Sequence, residues 1–166
     1  QKSGKNDDNI SLLTAGLEAE EPQSFLDGSA RIALQVNPKF HRYIFIEKNN
    51  ERFQELEKLK AEYSDRAADI VLVNADANTY LRDFCEKNWK THRAVVFLDP
   101  FGMQVTWETI KAIAKTKAID LWILFPLGSG VGRLLRRDGN IEENLKAKLD
   151  QLFGEKDWYD SFYQKK

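Results

Sequence analysis

From about residue 25 onward, apolar runs alternate with helical patterns. Tyr43-Ile44-Phe45-Ile46-Glu47, Asp69-Ile70-Val71-Leu72-Val73, Ala94 to Leu98 and Ile119 to Phe125 are short runs dense in β-branched and aromatic residues, and such runs predict strands. Between them, Asn49 or Asn50 caps a helix with Phe53, Leu56, Leu59 and Tyr63 at helical spacing. Asn78 opens a helix holding Leu81, Phe84 and Cys85, and Thr106 caps one with Ile110, Ile113 and Ala114 inside. Strict alternation of strand and helix predicts βαβ units and a parallel sheet. The near-continuous apolar strands agree, because parallel sheets are covered on both faces. The expected fold is α/β, an open and mainly parallel sheet with helices on both sides.

Either side of this core the pattern changes. Residues 1 to about 24 are rich in Gly, Ser, Asn, Asp and Glu, with Ile10-Ser11-Leu12-Leu13 as the one apolar island, which reads as a polar loop or mobile arm. Residues 25–166 form the expected α/β domain. It starts with a short helix at Asp27-Gly28-Ser29, with Ser29 as N-cap, Ile32, Ala33 and Val36 on one face, and Asn37-Pro38 ending it. After Pro126, Gly128-Ser129-Gly130-Val131-Gly132 reads as a flexible loop, Leu134-Leu135 as the start of a short helix and Asp138-Gly139 as a turn. Ile141 to Phe153 is an amphipathic helix, and Trp158, Tyr159, Phe162 and Tyr163 form an apolar tail expected to dock on the core. Trp107 and Trp122 are expected to pack between helix and sheet.

The strand ends carry the candidate chemistry. Val95-Val96-Phe97-Leu98 runs directly into Asp99-Pro100-Phe101-Gly102. Proline has no N–H for the ladder and stops the strand, so the Asp99 carboxylate falls at the carboxyl end, where open α/β sheets bind ligands. Glu47 and Asp76 follow two other strands in the same way, so strand periodicity puts the three acids on one edge. An acid at the position of Glu47 accepts hydrogen bonds from ribose hydroxyls in dinucleotide-type folds. Asp76, in Asn74-Ala75-Asp76-Ala77, could accept from the exocyclic amine of adenine, and Asp99 would face the substrate. The plainer alternative is helix capping by Glu47 and Asp76 and turn chemistry at Asp99-Pro100.

Composition narrows the classes. The 166 residues hold 25 basic and 26 acidic side chains, a net charge of −1, so there is no global attraction to nucleic acid. Arg133, Arg136 and Arg137 form the best local basic patch and offer possible phosphate steering; Lys111, Lys115 and Lys117 with Arg93 read as a solvated face. The single cysteine, Cys85, excludes an internal disulfide framework and a cysteine-based metal cluster; it reads as core packing. No Cys/His/Asp cluster has metal spacing, and no metal is expected. His41 and His92 lie beside strand starts, at the edge opposite the acids, and read as surface or capping residues. Ser24, Ser29 and Ser129 lack a nucleophile-elbow context. No apolar run approaches the roughly 18 residues of a membrane span, and the polar stretch Gln1 to Asn9 lacks a signal-peptide core. The expected localisation is cytoplasmic.

Several blocks together resemble a known family. Arg42-Tyr43-Ile44-Phe45-Ile46-Glu47-Lys48, Asn74-Ala75-Asp76-Ala77-Asn78, Val96-Phe97-Leu98-Asp99-Pro100-Phe101-Gly102-Met103-Gln104-Val105, and Ala118-Ile119-Asp120-Leu121-Trp122 with Phe125-Pro126-Leu127-Gly128 look like the three-Cys-motif partner proteins, a bacterial and phage-associated family. The similarity runs from about Phe25 to Tyr163. It implies a Rossmann-like fold similar to class I S-adenosylmethionine-dependent methyltransferases, and a partner carrying a three-cysteine motif. It implies S-adenosylmethionine as cofactor, held by Glu47 and Lys48 at the ribose and by Asp76 and Ala77 at the adenine. Asp99, Pro100 and Phe101 then correspond to a variant of the Asp/Asn-Pro-Pro-aromatic motif that holds a target amino group, with one proline fewer. In that family a first strand with a Gly-rich cofactor loop comes earlier and lies between the strands at Tyr43 and Ala94. Further strands follow later, so the sheet is expected to be incomplete at both ends. The implied function is S-adenosylmethionine-dependent methyl transfer to an amino group of a nucleic-acid base or to another acceptor. The alternatives are a non-catalytic binding protein that keeps the fold, and a nicotinamide-dependent oxidoreductase, in whose hydride chemistry Asp-Pro-Phe-Gly has no place. Oligomerisation is compatible with all three.

Overall fold

The computed structural model describes residues 26–100, 103–125, 131, 135 and 139–163. The chain divides into two compact units, Gln1–Asn74 and Ala75–Lys166.

In the first unit α1 (Leu26–Gln35) is followed by β1 (Tyr43–Ile46), α2 (Asn50–Glu62), a 3-10 turn (Ser64–Asp69) and β2 (Ile70–Val73). The two strands are parallel, with Tyr43 beside Ile70 and Ile46 beside Val73. The Glu47 N–H donates to the Val73 carbonyl at 3.0 Å, carrying the ladder one residue past β1. Asn49 caps α2 by accepting from the Arg52 N–H at 3.0 Å, which satisfies one of the orphan donors of the first turn. Ala30, Leu34, Tyr43, Leu56, Leu59 and Ile70 form the core, flanked by Phe45, Tyr63 and Leu72.

Helix α1 departs from its expected start and face. It begins at Leu26, so Ser29 lies inside it and is not its N-cap. It buries Ala30 and Leu34, while Ile32 and Val36 are exposed. Polar contacts fix this rotation. Arg31 Nη1 donates to Glu62 Oε2 at 2.7 Å, Gln35 Nε2 donates to the Tyr63 hydroxyl at 3.3 Å, and the Arg66 guanidinium donates to the Leu34 carbonyl. The helix stops two residues before Asn37, whose bond to Pro38 is cis.

The second unit holds α3 (Ala77–Cys85), β3 (Ala94–Leu98), α4 (Trp107–Thr116), β4 (Ile119–Ile123), α5 (Glu143–Phe153) and α6 (Trp158–Tyr163). β3 and β4 are parallel, with Ala94 beside Ile119 and Leu98 beside Ile123. The Leu124 N–H still reaches the Leu98 carbonyl at 2.9 Å, but the strand ends at Ile123 rather than Phe125. Asp76, not Asn78, caps α3. Helix α4 buries Thr109 and Ile113, one turn apart, while Ala114 points outward.

Strand alternation divides this pair into unlike faces. Ala94, Val96 and Leu98 with Ile119, Leu121 and Ile123 are half-buried, whereas Val95, Phe97, Trp122 and Leu124 are exposed. Trp122 was expected between helix and sheet; it is 67% exposed, because period-two alternation places it on the open face with Val95 and Phe97.

The expected apolar tail is helix α6. Val131, Leu149, Leu152 and Trp158 form a buried cluster that Met103, Leu135, Ile141, Phe153, Tyr159 and Tyr163 surround. Trp158 Nε1 donates to Asp150 Oδ1 at 2.7 Å, and the Tyr159 hydroxyl donates to the Gly139 carbonyl at 2.8 Å. Phe162 remains exposed. The architecture is mixed α/β, with two separate two-stranded parallel sheets, β1–β2 and β3–β4, among the described residues.

Candidate functional site

Each of the three acids follows a strand, but their surroundings differ. In the first unit, Glu47 comes one residue after β1 and is half-buried, with exposed Lys48 beside it. Glu47 Oε1 accepts from the Asn49 N–H at 2.7 Å, a loop bond just ahead of α2. A carboxylate holding one backbone donor keeps acceptor capacity on its second oxygen, which suits a hydroxyl donor such as ribose. Next to it, Asn74 Nδ2 donates to Asn50 Oδ1 at 2.8 Å, tying the end of β2 to the start of α2.

In the second unit, Asp76 is the N-cap of α3. Its Oδ1 accepts from the Thr79 N–H at 3.0 Å and the Thr79 hydroxyl at 3.2 Å. Ala77 is the first residue of that helix, where a backbone N–H has no intrahelical acceptor. Asp99 directly follows β3, is exposed, and makes no side-chain hydrogen bond or ion pair among the described residues. A carboxylate with no partner among the described residues, next to a proline at the carboxyl end of a strand, can meet an outside donor. Phe101, the Gly128–Gly132 loop apart from Val131, and Arg133, Arg136 and Arg137 lie outside the described residues, as does the polar arm over 1–24.

Asn78, which opens α3 by its sequence pattern, has a further role in the structure. Its Oδ1 accepts from the Thr106 N–H at 3.1 Å, the Thr106 hydroxyl at 3.4 Å and the Thr109 hydroxyl at 2.8 Å. Its Nδ2 donates to the Gln104 carbonyl at 2.8 Å. The Thr106 and Thr109 hydroxyls are also 3.0 Å apart, and Thr109 is buried. Thr106, expected to cap α4 through its side chain, makes no cap bond; its hydroxyl is turned to this cluster. One signal was legible in advance: an amide can donate and accept through separate atoms at once, and Thr106-x-x-Thr109 presents hydroxyls one turn apart.

Other candidates are quieter. Burial pushes the Cys85 thiol up, which lowers its thiolate fraction and its nucleophilicity. His41 and His92 are exposed, and His92 Nδ1 lies 3.1 Å from the Thr91 hydroxyl. Among the described residues, no group of three or more His, Cys, Asp or Glu is placed to hold a metal ion, and no helix is long and apolar enough to cross a membrane. No family model, curated protein or solved structure matches the chain.

Proposed function

We propose that the chain is an S-adenosylmethionine-dependent methyltransferase-like protein of the three-Cys-motif partner type, with a Rossmann-like sheet and an amino group as methyl acceptor. The observation that carries this reading is the placement of Glu47, Asp76 and Asp99 just beyond the carboxyl ends of β1, β2 and β3, the region where open α/β sheets take their ligands. The strand pairing adds support. In the class I methyltransferase-like order one further strand stands between β1 and β3, and β1–β2 and β3–β4 are pairs which that order requires.

The donor set suits the cofactor. Glu47 offers a carboxylate oxygen to ribose hydroxyls beside Lys48, and Asp76 and the Ala77 N–H serve the adenine. The cofactor, when bound, supplies a methyl group on a sulfonium, ready for direct in-line transfer. Asp99 would accept a hydrogen bond from the acceptor nitrogen, so orienting the nitrogen's lone pair for attack, and would take up the proton the nitrogen sheds. Such a site works mainly by proximity and orientation. Calorimetric titration of the full chain with S-adenosylmethionine should give binding heat and a thermal upshift; neither heat nor shift would remove the reading.

A specific observation favours a second reading, a binding protein that keeps the architecture without the chemistry. Glu47 and Asp76 each already hold a backbone N–H near the start of a helix, which structure alone explains. In that case the three-cysteine partner would bind equally well whether or not S-adenosylmethionine is present, and Asp99→Ala would not weaken the complex.

A further inference from the structure

Asn78 joins two segments, one on either side of β3. It stands in the first turn of α3, two residues after Asp76. Its amide reaches the stretch Gln104–Thr109 that follows Asp99-Pro100 and opens α4. All four of its contacts go to that stretch, and none goes to its own helix. Surface asparagines in a first helical turn ordinarily solvate or cap locally; this one bridges 26 to 31 residues of sequence. The far side of the same stretch is held too, with Met103 against the cluster of Val131, Leu149, Leu152 and Trp158, and Val105 is buried.

We infer that Asn78 is a positioning residue whose amide fastens the start of α3, and with it Asp76 and the Ala77 N–H, to the segment after Asp99. The inference rests on the reading above for its purpose: Asp76 and Ala77 serve the cofactor, so loosening this join weakens cofactor binding. The fastening itself stands on geometry alone. Asn78→Asp keeps a side-chain acceptor for Thr106 and Thr109 but loses the donor to Gln104. Asn78→Ala loses every contact.

The test pairs two readouts on the full chain. Hydrogen–deuterium exchange is followed at the amides of 103–105 and 107–110, leaving out Thr106, whose own partner is removed. S-adenosylmethionine affinity is measured by calorimetry well below the unfolding midpoint, where a loss of global stability alone leaves the folded population, and so Kd, unchanged. Asn78→Ala should speed exchange at least tenfold in this stretch and raise Kd at least fivefold, with Asn78→Asp between it and the unsubstituted chain. Unchanged exchange in Asn78→Ala overturns the fastening. Faster exchange with an unchanged Kd overturns the positioning role. If the unsubstituted chain binds no S-adenosylmethionine, the methyl-transfer reading and this residue's purpose in it fall together, while exchange still decides the fastening.

Discussion

Gly154 shows how much one position can require. It caps α5 with φ at 75°, and its N–H donates to the Asp150 carbonyl at 2.8 Å. A Cβ built there would lie 1.9 Å from Trp107 Cδ1. Positive φ is costly for any residue with a Cβ, and the indole leaves no room. Gly154→Ala should therefore cost about 2–4 kcal/mol, left-handed strain plus overpacking, read as a lower urea midpoint with unchanged slope. Lys117 is the converse. It ends α4 in the left-handed region at φ 54° without being glycine. Lys117→Gly should gain up to about 1 kcal/mol, because relief of that strain outweighs the added freedom of the unfolded chain; a lower thermal midpoint would contradict this. Asp99 belongs at the same scale. Exposed and without a side-chain hydrogen bond among the described residues, it should tolerate Asp99→Asn within about 0.5 kcal/mol; if the proposed function holds, methyl transfer should fall in the same variant. The place of Asp99 at a strand end was legible because strand, acid and proline are adjacent in sequence. The role of Asn78 was not, because its partners lie some thirty residues away and the spacing of Thr106 and Thr109 does not say which amide meets their hydroxyls.

At the scale of elements, the strands were legible and the helix rotations were not. Apolar runs such as Tyr43–Ile46 and Ala94–Leu98 define strands whichever face is buried. A helix needs a partner to say which stripe turns inward. In α1 the pattern offered Ile32, Ala33 and Val36, yet Ala30 and Leu34 are buried, since the contacts to α2 and the turn beyond it set the rotation. One of these contacts gives a pH signature. The hydrogen bond from Arg31 holds the Glu62 carboxyl below its ordinary value, and Glu62 in turn raises Arg31. A carboxyl lowered by folding stabilises the folded state above its unfolded pKa, near 4.3, and that contribution is lost as pH falls through the folded value. Arg31 stays charged throughout and adds no pH dependence in the accessible range. The pair is exposed, so its contribution is small and screened by salt. Glu62→Gln should lower the thermal midpoint slightly at pH 7 and low salt. The difference should shrink as pH falls from the unfolded value, about 4.3, vanish below the folded one, and shrink at high salt; a difference that grows on acidification would refute the sign.

Over the whole molecule, tryptophan burial is the sharpest departure from what the pattern suggested. A parallel sheet normally has helices on both faces, so Trp122 in an apolar strand reads as core, as does the apolar tail that holds Trp158. The structure separates the two. Trp122 stands 67% exposed, beside Phe97 at 50%, while Trp158 is 4% exposed and its indole N–H bonds Asp150. Sequence carries the alternation within a strand; which face receives a cover depends on segments distant along the chain. Energetics should follow burial rather than residue type. Trp158→Ala removes a filled core position and leaves Asp150 without its donor, so it should cost about 3–5 kcal/mol. Trp122→Ser gives up a ring that water already reaches in the folded state, and should cost under about 1 kcal/mol. Urea denaturation of the two variants, followed by far-ultraviolet circular dichroism so that loss of a fluorophore does not confuse the signal, gives the comparison directly. Equal losses would mean that the open face of β3–β4 is covered in solution, with Trp122 contributing as a core residue does. A large loss confined to Trp158 places the second unit's stability in the cluster of Leu149, Leu152 and Trp158, the same cluster that anchors Met103 behind the Asp99 strand end.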